Sequence, residues 1–358
     1  MNSGSGWKEI NSFREKKEGE IEEKEWVKDY SEEGPYNKIC LHRLSGKLKS
    51  GKIILCLPGT WSSGEQLIHL SYHGMGYAST SQEKSRYKYL ASRGHIIYAL
   101  DYRTHFVPPF LKNKELSFMR EWGLEKWFRD IRESISFILE VENAETILLE
   151  GDSFGGIAAF NYASRYSDEN LSGLILMDGG PIKTESRELI YDGTPKSVEE
   201  MDGKGVFSLD SMGGINNPIW AFALKNPDVP SPVPGFKNLS EYLMHKLDET
   251  NFTNFKSYPF SKMEYVFPVL ATLDPFWPCR IAIDLKDEEL SSLHKDIKLP
   301  SIFFTSGNFG TALWDESSLP SGTKKVLLDG YGHLDIYTGE NTFKDVFSVM
   351  GKWIDNGR

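Results

Sequence analysis

The sequence feature that most constrains the fold is a Gly-x-Ser-x-Gly motif between an apolar run and a helix-like segment. Residues 146–149 predict a short buried strand, residues 157–163 predict a helix, and Ser153 lies in the turn between them. A turn of this kind lifts a serine hydroxyl above the edge of a sheet, with glycines where adjacent backbone leaves no room for a Cβ atom. We therefore predict Ser153 as a nucleophile. The alternative is an ordinary strand-loop-helix turn, in which glycine and serine are common.

Apolar strands alternate with helices on both sides of this motif. Residues 53–57 are continuously apolar, which is typical of a strand buried on both faces of a parallel sheet. The alternation predicts an α/β fold with a doubly wound, mostly parallel sheet. Further predicted elements are strands at 95–100, 174–177, 301–305 and 325–328, and helices at 81–93, 122–138 and 342–354.

Two segments interrupt this rhythm. Residues 1–34 are rich in Lys and Glu, which predicts a charged N-terminal extension on the surface, helical or frayed, although 25–30 could pair as a strand. Residues 181–299 contain many Pro, Gly, Asn and aromatic residues, which predicts a cap or lid inserted over the site. The predicted core then comprises residues 35–180 and 300–358.

Composition excludes several classes of partner. The net charge of −10 argues against nucleic acid or an anionic membrane, and no apolar run approaches the length of a membrane-spanning helix. The polar N-terminus lacks the apolar core of a secretory signal, so a cytoplasmic location is expected. Cys40, Cys56 and Cys279 are too scattered for a disulfide framework or a zinc site and are interpreted as structural. The oligomeric state is left open.

A serine nucleophile needs a base that takes its proton and a group that orients the base. Among eight histidines, His333 stands out because it follows the last predicted core strand in a glycine-flanked loop. The chain order in folds with this strand-turn-helix motif is serine, then acid, then histidine. We predict His333 as the base, and the alternative is a structural imidazole.

The acid is less narrowly defined by the sequence. The loop after strand 301–305 contains no carboxylate before Asp315, whereas Asp178 directly follows the strand after the motif's helix. We favour Asp178, with Asp315 as second choice and Asp329 and Asp335 as further alternatives. Asp178 could instead cap a turn, and Asp315 could be a solvated loop residue.

A glycine-rich loop, residues 58–64, follows the apolar strand 53–57. Such a loop can direct backbone N–H groups inward to stabilise a developing oxyanion. We predict that these donors are the N–H of Phe154 and the N–H of Thr60 or Trp61, and the alternative is a loop that only reverses direction. Asp101 and Arg103, at the end of strand 95–100, are expected to form a structural ion pair or a solvated loop.

Three sequence features together resemble the α/β-hydrolases: Pro58-Gly59 after a buried strand, the 151–156 motif, and Gly332-His333 before the last helix. The resemblance covers residues 35–180 and 300–358, and the loop at 307–310 departs from the family pattern because it lacks a carboxylate. The resemblance implies that Ser153 attacks a carbonyl, that His333 moves the proton, and that water releases the acyl group from the acyl-enzyme. It implies no metal or organic cofactor. The expected partner is a small-molecule carboxylic ester with an apolar or aromatic part.

Other activities remain open on the same fold. A peptidase of the aminopeptidase type, a lactonase and an acyltransferase would use the same three side chains on a different substrate or acceptor. A non-catalytic binding protein on this scaffold is the alternative from a different class, since a fold does not dictate function. Such a protein would normally have lost the serine or the histidine, and both are present here.

Overall fold

A single mixed sheet organises the protein in the computed structural model. The structure describes residues 6–14, 21–48, 50–72, 85–166, 170–183, 197–209, 217–226, 228–249, 259–261, 263–286 and 297–356. Nine strands within these ranges pair in the order β1-β2-β3-β5-β4-β6-β7-β10-β11, and β8 and β9 form a separate pair. The strands are β1 Trp7–Arg14, β2 Glu22–Asp29, β3 Lys38–Ser45, β4 Ile53–Leu57, β5 Ile96–Asp101, β6 Ile147–Asp152, β7 Leu171–Met177, β8 Val206–Ser208, β9 Phe276–Pro278, β10 Ser301–Ser306 and β11 Lys324–Leu328.

Helices connect and cover these strands. The long helix after β5 buries residues three or four positions apart along one face and ends at Asn143 in the left-handed conformation. The helices within the described residues are α1 Gly64–Tyr72, α2 Arg86–Ser92, α3 Leu124–Glu142, α4 Phe154–Tyr166, α5 Val198–Lys204, α6 Asn217–Lys225, α7 Leu239–Glu249, α8 Met263–Ala271, α9 Cys279–Leu285, α10 Gly310–Leu313, α11 Asp335–Thr338 and α12 Ser348–Asn356. A π-helical segment, Phe343–Phe347, leads into α12, and a short 3₁₀ helix, Arg103–Phe106, follows β5.

The central strands are buried on both faces. Alternate residues of β4 enter different cores: Leu55 packs with α3 and α4, whereas Ile54 packs with α2 and α12. This period of two, with helices on both sides of the sheet, is the doubly wound arrangement predicted from the sequence. Along the main sheet, every pairing from β5 through β4, β6, β7 and β10 to β11 is parallel. The predicted mostly parallel sheet is therefore confirmed.

The N-terminal segment differs from the prediction. The expected helical or frayed appendage is wrong, because β1 and β2 extend the main sheet as antiparallel strands, with β1 at its edge. The strand considered possible at 25–30 corresponds to β2. Trp7 and Trp26 anchor them by packing on Phe137 of α3, with ring centroids 4.9 Å and 5.6 Å away. The outward positions of an edge strand are solvated, so the many charged residues suit a strand here.

Part of the predicted insert packs on the core. Phe276 and Trp277 of β9 and Ile281 of α9 are buried in the same core as α3 and α4. The division of the chain at residues 181 and 299 stays a prediction. Among the described helices, none is both long and apolar enough to cross a membrane.

Candidate active site

Ser153 lies where β6 ends and α4 begins. Its φ of 54° is a left-handed conformation that a non-glycine residue rarely adopts, and such strain is found mainly at functional sites. The turn is tight because a Cβ atom on Gly155 would overlap the carbonyl oxygen of Leu57, and one on Gly156 would overlap that of Gly179. These close approaches explain why the motif needs glycines at both positions.

The structure brings Ser153, His333 and Asp178 into one hydrogen-bonded chain. His333 Nε2 lies 2.9 Å from Ser153 Oγ, and His333 Nδ1 lies 2.6 Å from Asp178 Oδ2. The His333 ring also packs against Phe309, with a centroid distance of 4.4 Å. A carboxylate only accepts hydrogen bonds, so Nδ1 carries the hydrogen and Nε2 is the acceptor toward the serine hydroxyl. This is the geometry that a serine nucleophile and its base require.

Asp178 directly follows β7 and is completely buried. Its Oδ1 accepts from the Ser306 N–H at 2.9 Å and from Trp314 Nε1 at 3.1 Å, and its Oδ2 accepts from Ser306 Oγ at 2.6 Å. With His333 the carboxylate has four donors, which suits a buried anion that cannot donate. Asp178 also has a positive φ, 43°, so the end of β7 is strained like the Ser153 turn.

The structure does not bring the other candidate acids to His333 Nδ1. The Asp315 carboxylate accepts from Ser317 and Ser318 within its own loop. Asp329 begins the turn after β11. Asp335 instead binds the backbone around the histidine, because its Oδ2 accepts from the N–H of Gly332 at 2.8 Å. Burial raises the pKa of Asp335, and its hydrogen bonds oppose that shift.

The predicted oxyanion loop, residues 58–64, lies against Ser153. A Cβ atom on Gly59 would stand 3.2 Å from Ser153 Cβ and 3.8 Å from Ser153 Oγ, so the loop backbone passes directly beside the hydroxyl. Trp61 has a positive φ, 58°. Phe154 is the first residue of α4, and the first N–H groups of a helix have no acceptor within that helix. The arrangement suits anion binding.

Sequence reasoning missed a charged cluster beneath the nucleophile. Arg86 is buried and binds both carboxylate oxygens of Asp152, at 3.1 Å and 2.7 Å, and it lies 3.1 Å from Glu150. Glu150 also accepts from the Cys56 thiol at 3.1 Å. Burial raises the pKa of Glu150 to about 7, although the Arg86 charge acts in the opposite direction. Nothing in the sequence around Arg86 signals this role, because an arginine in a helix usually faces solvent.

Asp101 and Arg103 do not pair with each other. Arg103 forms two hydrogen bonds with the buried Asp130, at 2.8 Å and 2.7 Å. Asp101 binds His42 Nε2 at 2.8 Å, and His42 Nδ1 lies 3.3 Å from Glu25. Both were expected to be structural, and both have structural partners.

His42 also belongs to the groups whose spacing could hold a metal ion. These groups within the described residues are Cys40 with His42 and Asp101, and Glu23 with Glu25 and His42. In the structure the imidazole lies between two carboxylates, hydrogen-bonded to Asp101 and within 3.3 Å of Glu25. Burial by itself would lower the pKa of His42, and the Asp101 and Glu25 carboxylates raise it well above its usual value. The cluster is therefore interpreted as a buried imidazolium with its counter-charges.

The chain is similar over nearly its whole length to a solved structure from Sulfolobus solfataricus, a candidate lipase. The two share 44% identity with a TM-score of 0.78, and the alignment covers 97% of this chain and 99% of that chain. An esterase from Thermogutta terrifontis also matches, with 14% identity, a TM-score of 0.49, and 98% and 99% of the two chains covered. An esterase from Exiguobacterium antarcticum matches with 15% identity, a TM-score of 0.48, and 89% and 96% covered. No protein-family model and no curated protein matches the chain.

Proposed function

The chain belongs to the α/β-hydrolase family, and we propose that it is a serine hydrolase that cleaves carboxylic esters through Ser153, His333 and Asp178. The observation that carries the proposal is the continuous hydrogen-bonded chain from Ser153 Oγ through the imidazole to the buried carboxylate, with distances of 2.9 Å and 2.6 Å. A serine hydroxyl is a weak nucleophile until a neighbouring base accepts its proton. Here His333 is that base, and its hydrogen bond with Asp178 holds the ring in the required orientation.

The first half of the reaction forms an acyl-enzyme. Ser153 Oγ attacks the ester carbonyl while His333 Nε2 takes the hydroxyl proton. Asp178 keeps the hydrogen on Nδ1 and stabilises the imidazolium that forms. His333 then gives the proton from Nε2 to the leaving alkoxide, and the alcohol departs.

The oxyanion of the tetrahedral intermediate needs donors fixed before the reaction. The N–H of Phe154 and the N–H of Thr60 or Trp61 are proposed for this role, because the 58–64 loop passes beside Ser153 Oγ at Gly59. In the second half, water loses a proton to His333 Nε2 and attacks the acyl carbon. His333 then gives that proton to Ser153 Oγ as the bond to the acyl carbon breaks, which releases the acid and restores Ser153.

The aromatic side chains near His333 support a substrate with an apolar or aromatic part. Phe309, which is half-buried, packs on the His333 ring, and the exposed Phe260 packs against Tyr331 with ring centroids 5.2 Å apart. Phe260 belongs to the predicted insert, residues 181–299, which we propose acts as a cap over the acyl or alcohol group. Clefts lined by aromatic side chains with a few polar groups are typical of small-molecule sites.

The proposal is tested by p-nitrophenol release from esters of acetate to palmitate. Wild type should turn over at least part of this series, and Ser153→Ala should lose activity by about 10⁴-fold or more, because it removes the nucleophile. Ser136→Ala is the matched control, since Ser136 is exposed and its hydroxyl bonds only to the Arg132 carbonyl in its own helix. Hydrolysis that persists in Ser153→Ala, or a wild type inert on every ester, would overturn the proposal.

A further inference from the structure

The backbone of Trp61, in the oxyanion loop, is held by a residue far away in the sequence. The Asp274 N–H donates to the Trp61 carbonyl at 2.6 Å. Trp61 is also one of a few described non-glycine residues with a positive φ. A strained residue of this kind persists only when its surroundings hold it, and here the holding contact comes from just before β9.

His105 fixes Asp274 in turn. His105 Nδ1 lies 2.9 Å from Asp274 Oδ1, and Thr104 Oγ1 donates to Asp274 Oδ2 at 3.3 Å. The other ring nitrogen, Nε2, lies 3.0 Å from a carboxylate oxygen of Glu65, in the first turn of α1. The loop is therefore held at Trp61 through Asp274 and at its far end through Glu65, with one imidazole between the two contacts.

The charges around His105 favour a doubly protonated ring. Both nitrogens face carboxylates, and Asp101 lies 4.0 Å from Nε2 while accepting the Glu65 N–H at 2.8 Å. Burial alone would lower the pKa of His105, but the Asp101, Asp274 and Glu65 carboxylates raise it well above its usual value. The next charges outward are His42, which pairs with Asp101, and Glu25 beyond it.

Building on the proposed function, we propose that His105 is a positioning residue that holds the oxyanion loop in its reactive geometry through Asp274 and Trp61. The ring does not take part in the proton transfers between Ser153 and His333. Loss of the Nδ1 contact would leave the buried Asp274 carboxylate without that donor, which favours movement of Asp274 toward water. Trp61 would then lose its backbone donor and could relax from its strained φ.

Two substitutions test the contacts of the two ring nitrogens of His105 separately. In His105→Asn the amide nitrogen replaces Nδ1, so the contact to Asp274 is kept and the contact to Glu65 is lost. In His105→Gln the amide nitrogen replaces Nε2, so the Glu65 contact is kept and the Asp274 contact is lost. Both variants remove the same charge, and a role in folding alone would affect them alike.

The control histidine is at the opposite end of the same strand. His95 directly precedes β5, is buried, and lies 3.1 Å from Asp355 while it accepts the Lys52 N–H at 3.0 Å. His95→Gln removes a buried imidazole and its contact with the partly exposed Asp355, away from the oxyanion loop. It should leave kcat unchanged even if it lowers Tm.

The measurement is kcat and KM on the best ester found for wild type, with Tm recorded for each variant. We expect His105→Gln to lower kcat by roughly 10- to 100-fold with KM within about twofold, because loss of oriented oxyanion donors acts on the transition state. His105→Asn should stay within about threefold of wild type at neutral pH. The rate at which a phosphonate labels Ser153 should fall by a similar factor in His105→Gln. In that reaction too, a negatively charged oxygen is bound by the N–H donors of the oxyanion loop.

A pH profile of kcat gives a second readout that does not need a folded His105→Gln. A neutral ring with its hydrogen on Nδ1 still donates to Asp274, as the Asn amide does, so wild type and His105→Asn should share the same alkaline pH profile of kcat. Equal effects of the Asn and Gln variants on kcat, or an alkaline fall of wild-type kcat that His105→Asn lacks, would overturn the inference while leaving the ester hydrolase proposal intact. A wild type without activity or phosphonylation would overturn both.

Discussion

The substitution Asp178→Asn tests the identity of the acid with a consequence that follows from its hydrogen bonds. Oδ1 of Asp178 accepts from two N–H donors, of Ser306 and Trp314, which cannot reverse. An amide NH₂ group therefore cannot occupy that position, and it must replace Oδ2. There it faces the Ser306 hydroxyl, which can rotate, and His333 Nδ1, which can change tautomer.

The asparagine thus forces the wrong tautomer on the base. Its NH₂ group donates to His333 Nδ1, so the hydrogen moves to Nε2 and points at Ser153 Oγ, which then has no acceptor for its proton. Loss of the tautomer in a triad lowers kcat by about 10⁴-fold, which corresponds to about 5.5 kcal/mol of transition-state stabilisation. The side-chain volume is unchanged and all four contacts can remain, two of them with donor and acceptor exchanged, so the fold should be kept.

The assay is kcat for p-nitrophenyl ester hydrolysis, with far-ultraviolet circular dichroism to verify folding. Asp315→Asn is the matched control, because the Asp315 carboxylate is bound within its own loop by Ser317 and Ser318, and kcat should stay within about twofold of wild type. A folded Asp178→Asn variant that keeps a tenth or more of wild-type kcat would refute the tautomer argument. A loss in Asp315→Asn equal to that in Asp178→Asn would refute the assignment of the acid.

Two further predictions concern the strand and the turn at the nucleophile. Gly155→Ala should abolish folded protein or lower Tm sharply, because the added Cβ overlaps the Leu57 carbonyl. Gly203→Ala, with no atom within 4 Å of the added Cβ, should keep or slightly raise Tm, and equal Tm values in the two variants would contradict the argument. Because the pKa of Glu150 is raised from 4.5 to about 7, its ionisation destabilises the fold progressively as pH rises from 4.5 through 7. Thermal melts should therefore show Glu150→Gln more stable than wild type at pH 8 and equal to it at pH 4; a less stable variant at pH 8 would contradict this account.

Much of the candidate site was predictable because its residues follow the ends of apolar strands. Ser153 follows β6 and Asp178 follows β7, and carboxyl ends of parallel strands meet at one edge of a sheet. The missing carboxylate after β10 has a structural counterpart, since Ser306 there donates to Asp178 instead. These side chains were therefore predicted from their order in the chain and from their positions after apolar strands.

Other features were not predictable from local sequence. The contact between Asp274 and Trp61 depends on how a long irregular segment returns to the core, and no residue pattern encodes it. The buried position of Arg86 depends on its pairing with Asp152, which lies in a different element. At the N-terminus a strand was considered only for residues 25–30, and β1 was missed because charged residues on a solvated edge strand look like a polar tail.

The most direct test of the proposed nucleophile is the site at which a fluorophosphonate binds covalently to wild type. The account predicts one adduct per chain, located on Ser153 by peptide mass spectrometry, and a much slower rate of adduct formation in His333→Ala. No adduct on a folded wild type, or an adduct on another residue with Ser153 unmodified, would contradict the central claim.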